Sequence, residues 1–280
     1  MDGGRGKRVR RLVIAAALWI CCAVAAAAAP VERTWTVDGV ERKALLVVPP
    51  DAARTPAPVV FAFHGHGGTM RSAARKFAFD TLWPEAIVVY MQCLPTPGAL
   101  TDPDGMKPGW QSAEGVLKDR DLRFFDVALA ALKKDFKVDD GRIFATGHSN
   151  GGGFTYLLWA VRGDVFAAVA PAAAIAGRVL ARLKPKPVMH VAGRNDTLVR
   201  FAWQERTMAA MRQLNGCDAV AKPWASAGTS VGTLYSSKAG PPFVSVIYSG
   251  SHALPDEAPE LIVKFFKEQA VVKAPAGVAR

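Results

Sequence analysis

Short apolar runs alternate with amphipathic stretches along this chain, and this alternation restricts its fold more than any other feature. The runs are rich in Val, Ile and Phe, and they predict strands at Arg42–Val48, Val59–His64, Ala86–Met91, Arg142–Thr146, Phe166–Ala170, Val188–Ala192 and Phe243–Tyr248. Continuous hydrophobicity is typical of strands buried on both faces of a parallel sheet. Helical spacing of apolar residues predicts helices at Asp121–Phe136, Asn150–Val161, Phe201–Leu214 and Pro259–Glu268. The pattern predicts an α/β fold with a mostly parallel central sheet flanked by helices.

The first 29 residues have the pattern of an export signal. Basic residues within the first eleven positions precede an apolar run, Leu12–Val24, and small residues follow at positions 25–29. The run is too short to span a bilayer comfortably, and the small residues suit a signal peptidase. We therefore predict a signal peptide over residues 1–29, a single domain over residues 30–280, and a periplasmic or extracellular location. An uncleaved membrane anchor is the alternative.

The charge of the chain is strongly positive. It has 35 Lys and Arg against 24 Asp and Glu, a formal net charge of +11. Such a surplus is common in proteins that bind nucleic acid, anionic membranes or acidic substrates. Cleavage of the predicted leader leaves 30 basic and 23 acidic residues, a surplus of +7. Because no nucleic-acid-binding motif accompanies this charge, we expect no nucleic-acid partner, and we expect no stable membrane span after processing.

The cysteines and histidines give no sign of a metal site. Of four cysteines, Cys93 and Cys217 lie beyond the predicted leader. In an oxidising compartment they form either one disulfide or two buried thiols, and both alternatives stay open at this point. The histidines and cysteines lack the paired spacing of zinc ligands, so we expect neither a metal nor a cofactor.

The segment Gly147–Gly153, with the sequence GHSNGGG, matches the G-x-S-x-G pattern of a nucleophilic serine. A predicted strand precedes it and a predicted helix follows it, as the pattern requires. Crowding at such a sharp turn excludes a Cβ at the flanking positions, which explains the glycine at each end. The turn would lift the Ser149 hydroxyl out of the sheet and aim the helix N-terminus at the same point. The alternative is a glycine-rich turn that Ser149 caps.

A serine hydroxyl becomes a strong nucleophile when a base takes its proton. Two histidines follow Ser149: His190 lies inside an apolar run, whereas His252 lies in a loop between the last predicted strand and the last predicted helix. His252 is therefore the predicted base. Asp196, in a loop after a strand, is the predicted acid that holds the imidazole tautomer and stabilises the imidazolium. Alternatively, His252 is an exposed loop histidine without a catalytic role, and Asp196 is an aspartate that caps a turn.

A second glycine-rich loop, His64–Gly68, follows a predicted strand. Backbone amides of such a loop, together with the amide of the residue after the nucleophile, bind the oxyanion that develops during acyl transfer. This nominates the amides of His66 and Asn150, with Gly65 as a close neighbour. A His-x-His metal pair is the alternative for this loop.

The Pro- and Gly-rich stretch Leu94–Trp110 is predicted to be a long loop after a strand. In an open α/β sheet, loops at the carboxyl ends of the strands build the site. Trp110 is therefore a candidate for substrate binding, as a wall of the acyl pocket or a stacking platform. Packing within the loop is an equal alternative.

Taken in chain order, these motifs resemble those of the secreted α/β-hydrolase esterases, and they are most similar to the polyhydroxybutyrate depolymerase and feruloyl or acetyl-xylan esterase group. The motifs are His64-Gly65-x-Gly67-Gly68, Gly147-His148-Ser149-Asn150-Gly151-Gly152, Gly193-x-x-Asp196 and Ser251-His252. The resemblance implies an α/β-hydrolase fold without a large lid, residues 30–280 as the catalytic domain, and a triad of Ser149, Asp196 and His252. Many members have a cysteine after the position of Cys217 that this chain lacks, and many have Trp-Pro after the base.

The expected function is that of an exported serine esterase acting through an acyl-enzyme. Its ester substrate is small or polymeric, and the resemblance implies a polyhydroxyalkanoate-type polyester or a feruloyl or acetyl ester of a polysaccharide. One alternative is hydrolysis of an anionic polymer amide by the same triad, which a surplus of +7 would favour. Another is a non-catalytic binding protein on a hydrolase scaffold, against which the complete set of motifs argues. The oligomeric state is left open.

Overall fold

The computed structural model describes residue 1 and residues 29–270, so most of the predicted leader lies outside the described residues. The strands β1 to β12 are Val31–Val37, Val40–Val47, Ala57–Phe63, Ile87–Met91, Leu94–Pro95, Pro108–Gly109, Val138–His148, Ala168–Ala172, Val188–Gly193, Ala221–Ala227, Ser230–Tyr235 and Phe243–Tyr248. The helices α1 to α6 are Met70–Phe77, Phe79–Leu82, Arg120–Asp135, Asn150–Arg162, Phe201–Leu214 and Ala258–Gln269. Within residues 29–270, no helix combines the length and the apolar character needed to cross a membrane.

Ten of the strands form one sheet in the order β1-β2-β4-β3-β7-β8-β9-β12-β11-β10. All neighbours from β4 to β12 are parallel. The antiparallel pairs lie at the two edges, where β1, β2 and β4 meet on one side and β12, β11 and β10 on the other. The remaining strands, β5 and β6, pair only with each other. The predicted α/β class with a mostly parallel sheet is confirmed.

The central strands are buried on both faces, which explains their continuous hydrophobicity. In β3, Phe61 and Phe63 pack into one core layer, whereas Val60 and Ala62 pack into the other, and all four are 0% exposed. Side chains of α3, α4 and α5 complete the first layer, and those of α1, α2 and α6 complete the second. A residue pointing either way from β3 therefore meets a helix, so neither face tolerates polar side chains.

Sequence patterns missed the edges of the sheet and two helices, α1 and α2, of which α2 has only four residues. Strands β1, β10 and β11 were not predicted, because edge strands are partly exposed and carry polar residues such as Lys222 and a proline at Pro223. Helix α1 buries only Met70, Ala73 and Phe77, and so few apolar positions do not form a clear helical period.

The topology brings four predicted motifs to one end of the sheet. The loops after β3, β7, β9 and β12 carry the second glycine-rich loop, Ser149, Asp196 and His252, respectively. These four strands run parallel, so their carboxyl ends share the edge where open α/β sheets bind ligands.

Candidate active site

The turn between β7 and α4 holds Ser149 in a strained backbone conformation, with φ 57° and ψ −119°. Its amide donates to the Ala172 carbonyl at 2.9 Å, which fixes the turn to the neighbouring strand. A Cβ on Gly147 would lie 2.4 Å from the carbonyl atoms of Gly151, and a Cβ on Gly151 would lie 2.3 Å from the Phe63 oxygen. Both positions therefore require glycine for this turn to close.

The side chains of Ser149, His252 and Asp196 are connected by hydrogen bonds in that order. The Ser149 Oγ lies 2.8 Å from His252 Nε2, and His252 Nδ1 lies 2.8 Å from Asp196 Oδ2. Because an ionised carboxylate only accepts hydrogen bonds, Nδ1 carries the imidazole proton and Nε2 is left to accept the serine proton. The Asp196 carboxylate is 0% exposed, whereas the His252 side chain is 22% exposed. The structure thus brings together the predicted nucleophile, base and acid in an order suited to acyl transfer.

The Asp196 carboxylate has donors on both oxygens. Its Oδ1 accepts from the amides of Leu198 at 3.0 Å and Val199 at 2.9 Å. Its Oδ2, besides meeting the imidazole, accepts from Gln204 Nε2 at 3.0 Å. Sequence reasoning missed Gln204, although one signal was present: it is a polar residue four positions before Met208 on the buried face of α5. A polar side chain on such a face needs a buried partner.

Two neighbouring side chains hold the loop that carries the predicted base. The His148 imidazole donates from Nε2 to the His252 carbonyl oxygen at 2.6 Å. Burial lowers the pKa of His148 to about 4, so this ring stays neutral near pH 7. The Tyr248 hydroxyl lies 2.9 Å from the Ser251 carbonyl oxygen and 2.8 Å from that of Ala253. These contacts fix the loop backbone on both sides of His252.

The predicted oxyanion-binding residues lie beside Ser149. His66 and Asn150 line the same cavity as the serine, and a Cβ on Gly65 would lie 3.5 Å from the Ser149 Cβ. The Asn150 amide belongs to the first residue of α4, where backbone N–H groups have no acceptor within the helix.

The His66 side chain connects this loop to residues 94–119, which we call the cavity loop. Its Nε2 lies 3.0 Å from Asp102 Oδ2, and the Asp102 carboxylate also accepts from the amides of Lys107 at 2.8 Å and Met106 at 3.3 Å. The bond from His66, followed by those amides, holds the pKa of Asp102 below its usual value. A Cβ on Gly109 would lie 2.4 Å from the imidazole. Nothing in the sequence pattern marked Asp102.

His64 has different hydrogen-bond partners from His66. His64 Nδ1 lies 2.8 Å from the Gly65 carbonyl oxygen, and its Nε2 lies 3.4 Å from Cys93 Sγ. Burial lowers the pKa of His64 to about 4. Across residues 29–270, no cluster of three metal-ligating side chains is found. Cys93 and Cys217 are both free thiols, so the structure has no disulfide between them.

The structure does not support substrate contact by the Trp110 indole. The side chain is 1% exposed and packs at ring-centroid distances of 5.1 Å from Phe63 and 4.9 Å from Phe154. Its Nε1 donates to the His64 carbonyl at 2.9 Å. The Trp110 backbone instead has a role that sequence reasoning missed, because its N–H donates to Asn150 Oδ1 at 2.6 Å and its carbonyl accepts from Asn150 Nδ2 at 3.1 Å. Asn150 thereby connects the cavity loop to the turn that carries Ser149.

Comparison with known proteins gives relatives over most of the chain, although no protein-family model matches it. The sequence is 27% identical to the probable feruloyl esterase C of Aspergillus flavus over 227 residues, 78% of each chain. It is 27% identical to feruloyl esterase C of Emericella nidulans over 205 residues, 70% of each chain. The chain resembles the feruloyl esterases over most of its length, and its fold is that of the α/β hydrolases. Acetyl xylan esterase from Aspergillus awamori shares the fold, with a TM-score of 0.65 and 12% identity over 85% of this chain and 99% of the other.

The relatives class this feruloyl esterase-like hydrolase with the carboxylic ester hydrolases. Its cavity has a volume of about 510 Å³ and opens at Ser149. The cavity loop contributes part of the lining, and residues 174–179 with Leu198, Val199 and Trp203 contribute another part. The lining is mostly apolar and includes Phe154, Ala174, Val179 and Trp203. A cavity of this size and polarity suits an organic acyl group larger than acetyl.

Proposed function

We propose that this hydrolase is an exported serine esterase with Ser149 as nucleophile, His252 as general base and Asp196 as the residue that orients the base. The observation that carries the proposal is the hydrogen-bond order from Asp196 through His252 to Ser149, with 2.8 Å at each step. The nucleophile also opens on a mostly apolar cavity of about 510 Å³. The export signal predicted over residues 1–29 supports a location outside the cytoplasm.

In the first half of the proposed reaction, Ser149 Oγ bonds to the ester carbonyl carbon while its proton passes to His252 Nε2. The amides of Asn150 and His66, with Gly65 beside them, stabilise the oxyanion of the tetrahedral intermediate. When the intermediate collapses, the bond to the leaving oxygen breaks, and His252 gives its proton to the departing alcohol.

In the second half, water attacks the acyl-enzyme. His252 takes a proton from the water, and the same amides stabilise the second oxyanion. Collapse returns the proton to Ser149 Oγ and releases the carboxylic acid. Throughout, Asp196 keeps the Nδ1 proton in place and stabilises the transient imidazolium.

As substrate class we propose esters of aromatic carboxylic acids, such as hydroxycinnamoyl groups on a polysaccharide. The similarity to feruloyl esterases supports this class. Trp203, a half-buried side chain on the cavity wall, would contact an aromatic ring, and an acetyl group would fill little of the volume.

Oligoesters of hydroxyalkanoic acids are the second candidate substrates. The observation that favours them is the apolar character of the cavity mouth, where Leu100 is 56% exposed and Ile175 is 37% exposed. Such side chains would contact an apolar polyester chain that extends beyond the cavity.

A hydrolysis panel tests both the chemistry and the substrate class. The panel contains methyl ferulate, acetylated xylan, polyhydroxybutyrate oligomers, an anionic polyamide and a short-chain p-nitrophenyl ester, each tested with the wild type and with Ser149→Ala. We expect turnover of the p-nitrophenyl ester and methyl ferulate, with higher kcat/KM than for acetylated xylan, and a loss of at least about 1,000-fold in Ser149→Ala. Full turnover in Ser149→Ala would refute the proposed chemistry, and preference for the polyamide would refute the ester substrate.

A further inference from the structure

A chain of buried polar side chains leads from the core of the protein to Asp196. The Tyr156 hydroxyl lies 2.7 Å from His190 Nδ1, His190 Nε2 lies 3.2 Å from Gln204 Oε1, and Gln204 Nε2 lies 3.0 Å from Asp196 Oδ2. Tyr156, His190 and Gln204 are each 0% exposed and come from α4, β9 and α5. Polar groups this deep in a core are costly unless their hydrogen bonds are made.

The acceptors around Gln204 determine which group donates and which accepts in each of these three hydrogen bonds. Its Nε2 lies near Asp196 Oδ2 and 2.6 Å from the Val199 carbonyl oxygen, and both of these oxygens accept. Since the amide nitrogen is on that side, Oε1 faces His190, and His190 Nε2 must carry the proton. His190 Nδ1 then accepts from the Tyr156 hydroxyl. Burial lowers the pKa of His190 to about 4 and raises that of Tyr156, which agrees with a neutral ring and a protonated phenol.

All three bonds therefore point the same way. Each donor hydrogen lies on the side nearer Asp196, so the dipoles of the phenol, imidazole and amide add and present a positive end to the carboxylate. Aligned bonds strengthen one another in a medium of low dielectric constant. Buried side chains that served core packing alone would need neither aligned hydrogen bonds nor a final bond to Asp196.

The bond from Gln204 also controls which way the Asp196 carboxylate faces. The amides of Leu198 and Val199 hold Oδ1, whereas Oδ2 is shared between Gln204 and His252. Without Gln204, only the imidazole would hold Oδ2, and rotation of the carboxylate would carry His252 away from Ser149.

We propose that Tyr156, His190 and Gln204 are positioning residues for the reaction. Through their aligned hydrogen bonds they hold the Asp196 carboxylate in the orientation that serves His252, and they share its negative charge. This inference rests on the proposed function, in which Asp196 is the acid of the triad. It predicts that removing one of these hydrogen bonds changes both the turnover number and the pH profile of the reaction.

The main test replaces Gln204 with leucine, which has a similar shape and no donor. We expect kcat to fall by about 10- to 100-fold, the rate equivalent of one hydrogen bond to a charged group, while KM stays within about twofold. The acid limb of the kcat/KM profile should move to higher pH, because a carboxylate that has lost a donor interacts more strongly with the imidazolium. Gln213→Leu is the matched control, since Gln213 is exposed on the same helix.

A second variant keeps the test valid if Gln204→Leu fails to fold. Tyr156→Phe removes one oxygen atom at the far end of the chain, and we expect a kcat about two- to fivefold lower and a smaller shift of the acid limb in the same direction. Tyr90→Phe is its control, because the Tyr90 hydroxyl is also buried but bonds to Asp80 and the Phe79 amide. We expect no change in the pH profile of this control.

Unchanged kcat and an unmoved acid limb in folded Gln204→Leu would overturn the inference. If that variant does not fold, the same result in Tyr156→Phe would overturn it. Ser149→Ala, measured in parallel, separates the two proposals. An inactive Ser149→Ala with an unchanged Gln204→Leu would refute the positioning role alone, whereas an active Ser149→Ala would refute the proposed function and the positioning role with it.

Discussion

Two regions lie beside Ser149, and they are stabilised by different kinds of contact. The acid–base arm, residues 190–204 and 248–254, follows the adjacent parallel strands β9 and β12. Its two parts are joined by backbone bonds, from Arg194 N to the Tyr248 oxygen at 2.8 Å and from Asn195 N to the Gly250 oxygen at 3.0 Å. The cavity loop contains only the two-residue strands β5 and β6 and one 3₁₀ turn.

The cavity loop depends on side chains that lie far away in the sequence. Arg42 of β2 pairs with the buried carboxylate of Asp121 at 2.7 Å, and that carboxylate accepts from the Gln111 amide at 2.8 Å. Three consecutive residues, Leu117 to Asp119, have φ between 53° and 56°, which is strained for residues other than glycine. Adjacent strands of the sheet therefore hold the proposed acid and base, whereas long-range contacts hold one wall of the cavity.

The largest effect is expected from breaking the acid–base arm at its acid. Asp196→Asn preserves the shape of the side chain but presents an amide where His252 Nδ1–H needs an acceptor. We expect kcat to fall by roughly 10³- to 10⁴-fold with little change in stability. Steady-state hydrolysis of a p-nitrophenyl ester measures this, with Asp218→Asn as the control. A loss of less than tenfold in Asp196→Asn would contradict the assigned acid.

Breaking the buried ion pair between Arg42 and Asp121, which holds the cavity loop at Gln111, should reduce stability instead. In Asp121→Asn the Arg42 guanidinium is left buried without its counter-charge, and we expect the free energy of unfolding to fall by about 3–5 kcal/mol. Urea unfolding followed by tryptophan fluorescence measures the change. Asp126→Asn is the control, because its pair with Arg162 is partly exposed and should contribute under about 1 kcal/mol. Equal losses in the two variants would contradict the stabilising role of the buried pair.

Acidification should destabilise the protein through two buried histidines, His190 within the acid–base arm and His148, which contacts it at the His252 carbonyl oxygen. Burial lowers the pKa of both His148 and His190 from 6.5 to about 4. Between pH 6.5 and pH 4 the unfolded chain therefore binds protons that the folded chain does not, so stability is lost as the pH falls through this window. We expect a loss on the order of a few kcal/mol between pH 7 and pH 4.5. A urea midpoint that does not change over this range would be inconsistent with neutral buried rings.

The smallest effect is expected from loosening the bond between the cavity loop and His66. Asp102→Asn keeps the size of the side chain and removes its charge. We expect KM for an aromatic ester to rise about threefold while kcat stays within about twofold, because the wall moves and the reacting groups do not. Asp104→Asn, an exposed change in the same loop, is the control. A fall in kcat without a change in KM would show that the two regions are not separable.

The two regions also differ in how far the sequence predicted them. Continuous apolar runs marked the strands of the acid–base arm, and G-x-S-x-G marked Ser149. Elimination among two histidines led to His252, which lies 2.8 Å from Ser149 Oγ. Those features are local in the chain, and parallel strand order places them together.

The contacts of the cavity loop are not local, and the sequence did not predict them. The contact of Asp102 with His66 spans 36 residues, and that of Asn150 with Trp110 spans 40. No pattern of hydrophobicity or spacing encodes such pairs. For Trp110 the sequence left pocket lining and packing as equal alternatives, and the buried indole supports packing. Gln204 and His190 were visible as polar residues in apolar surroundings, but their partners were not.

Covalent labelling shows directly whether Ser149 is the reactive serine of this hydrolase. The folded wild-type protein is treated with a fluorophosphonate, and the modified residue is located by mass spectrometry, alongside His252→Ala. We expect one adduct per chain, on Ser149, with labelling strongly reduced in His252→Ala because the serine has lost its base. An adduct on a different residue would contradict the assignment of Ser149 as nucleophile. So would full ester hydrolysis by protein that is completely labelled at Ser149.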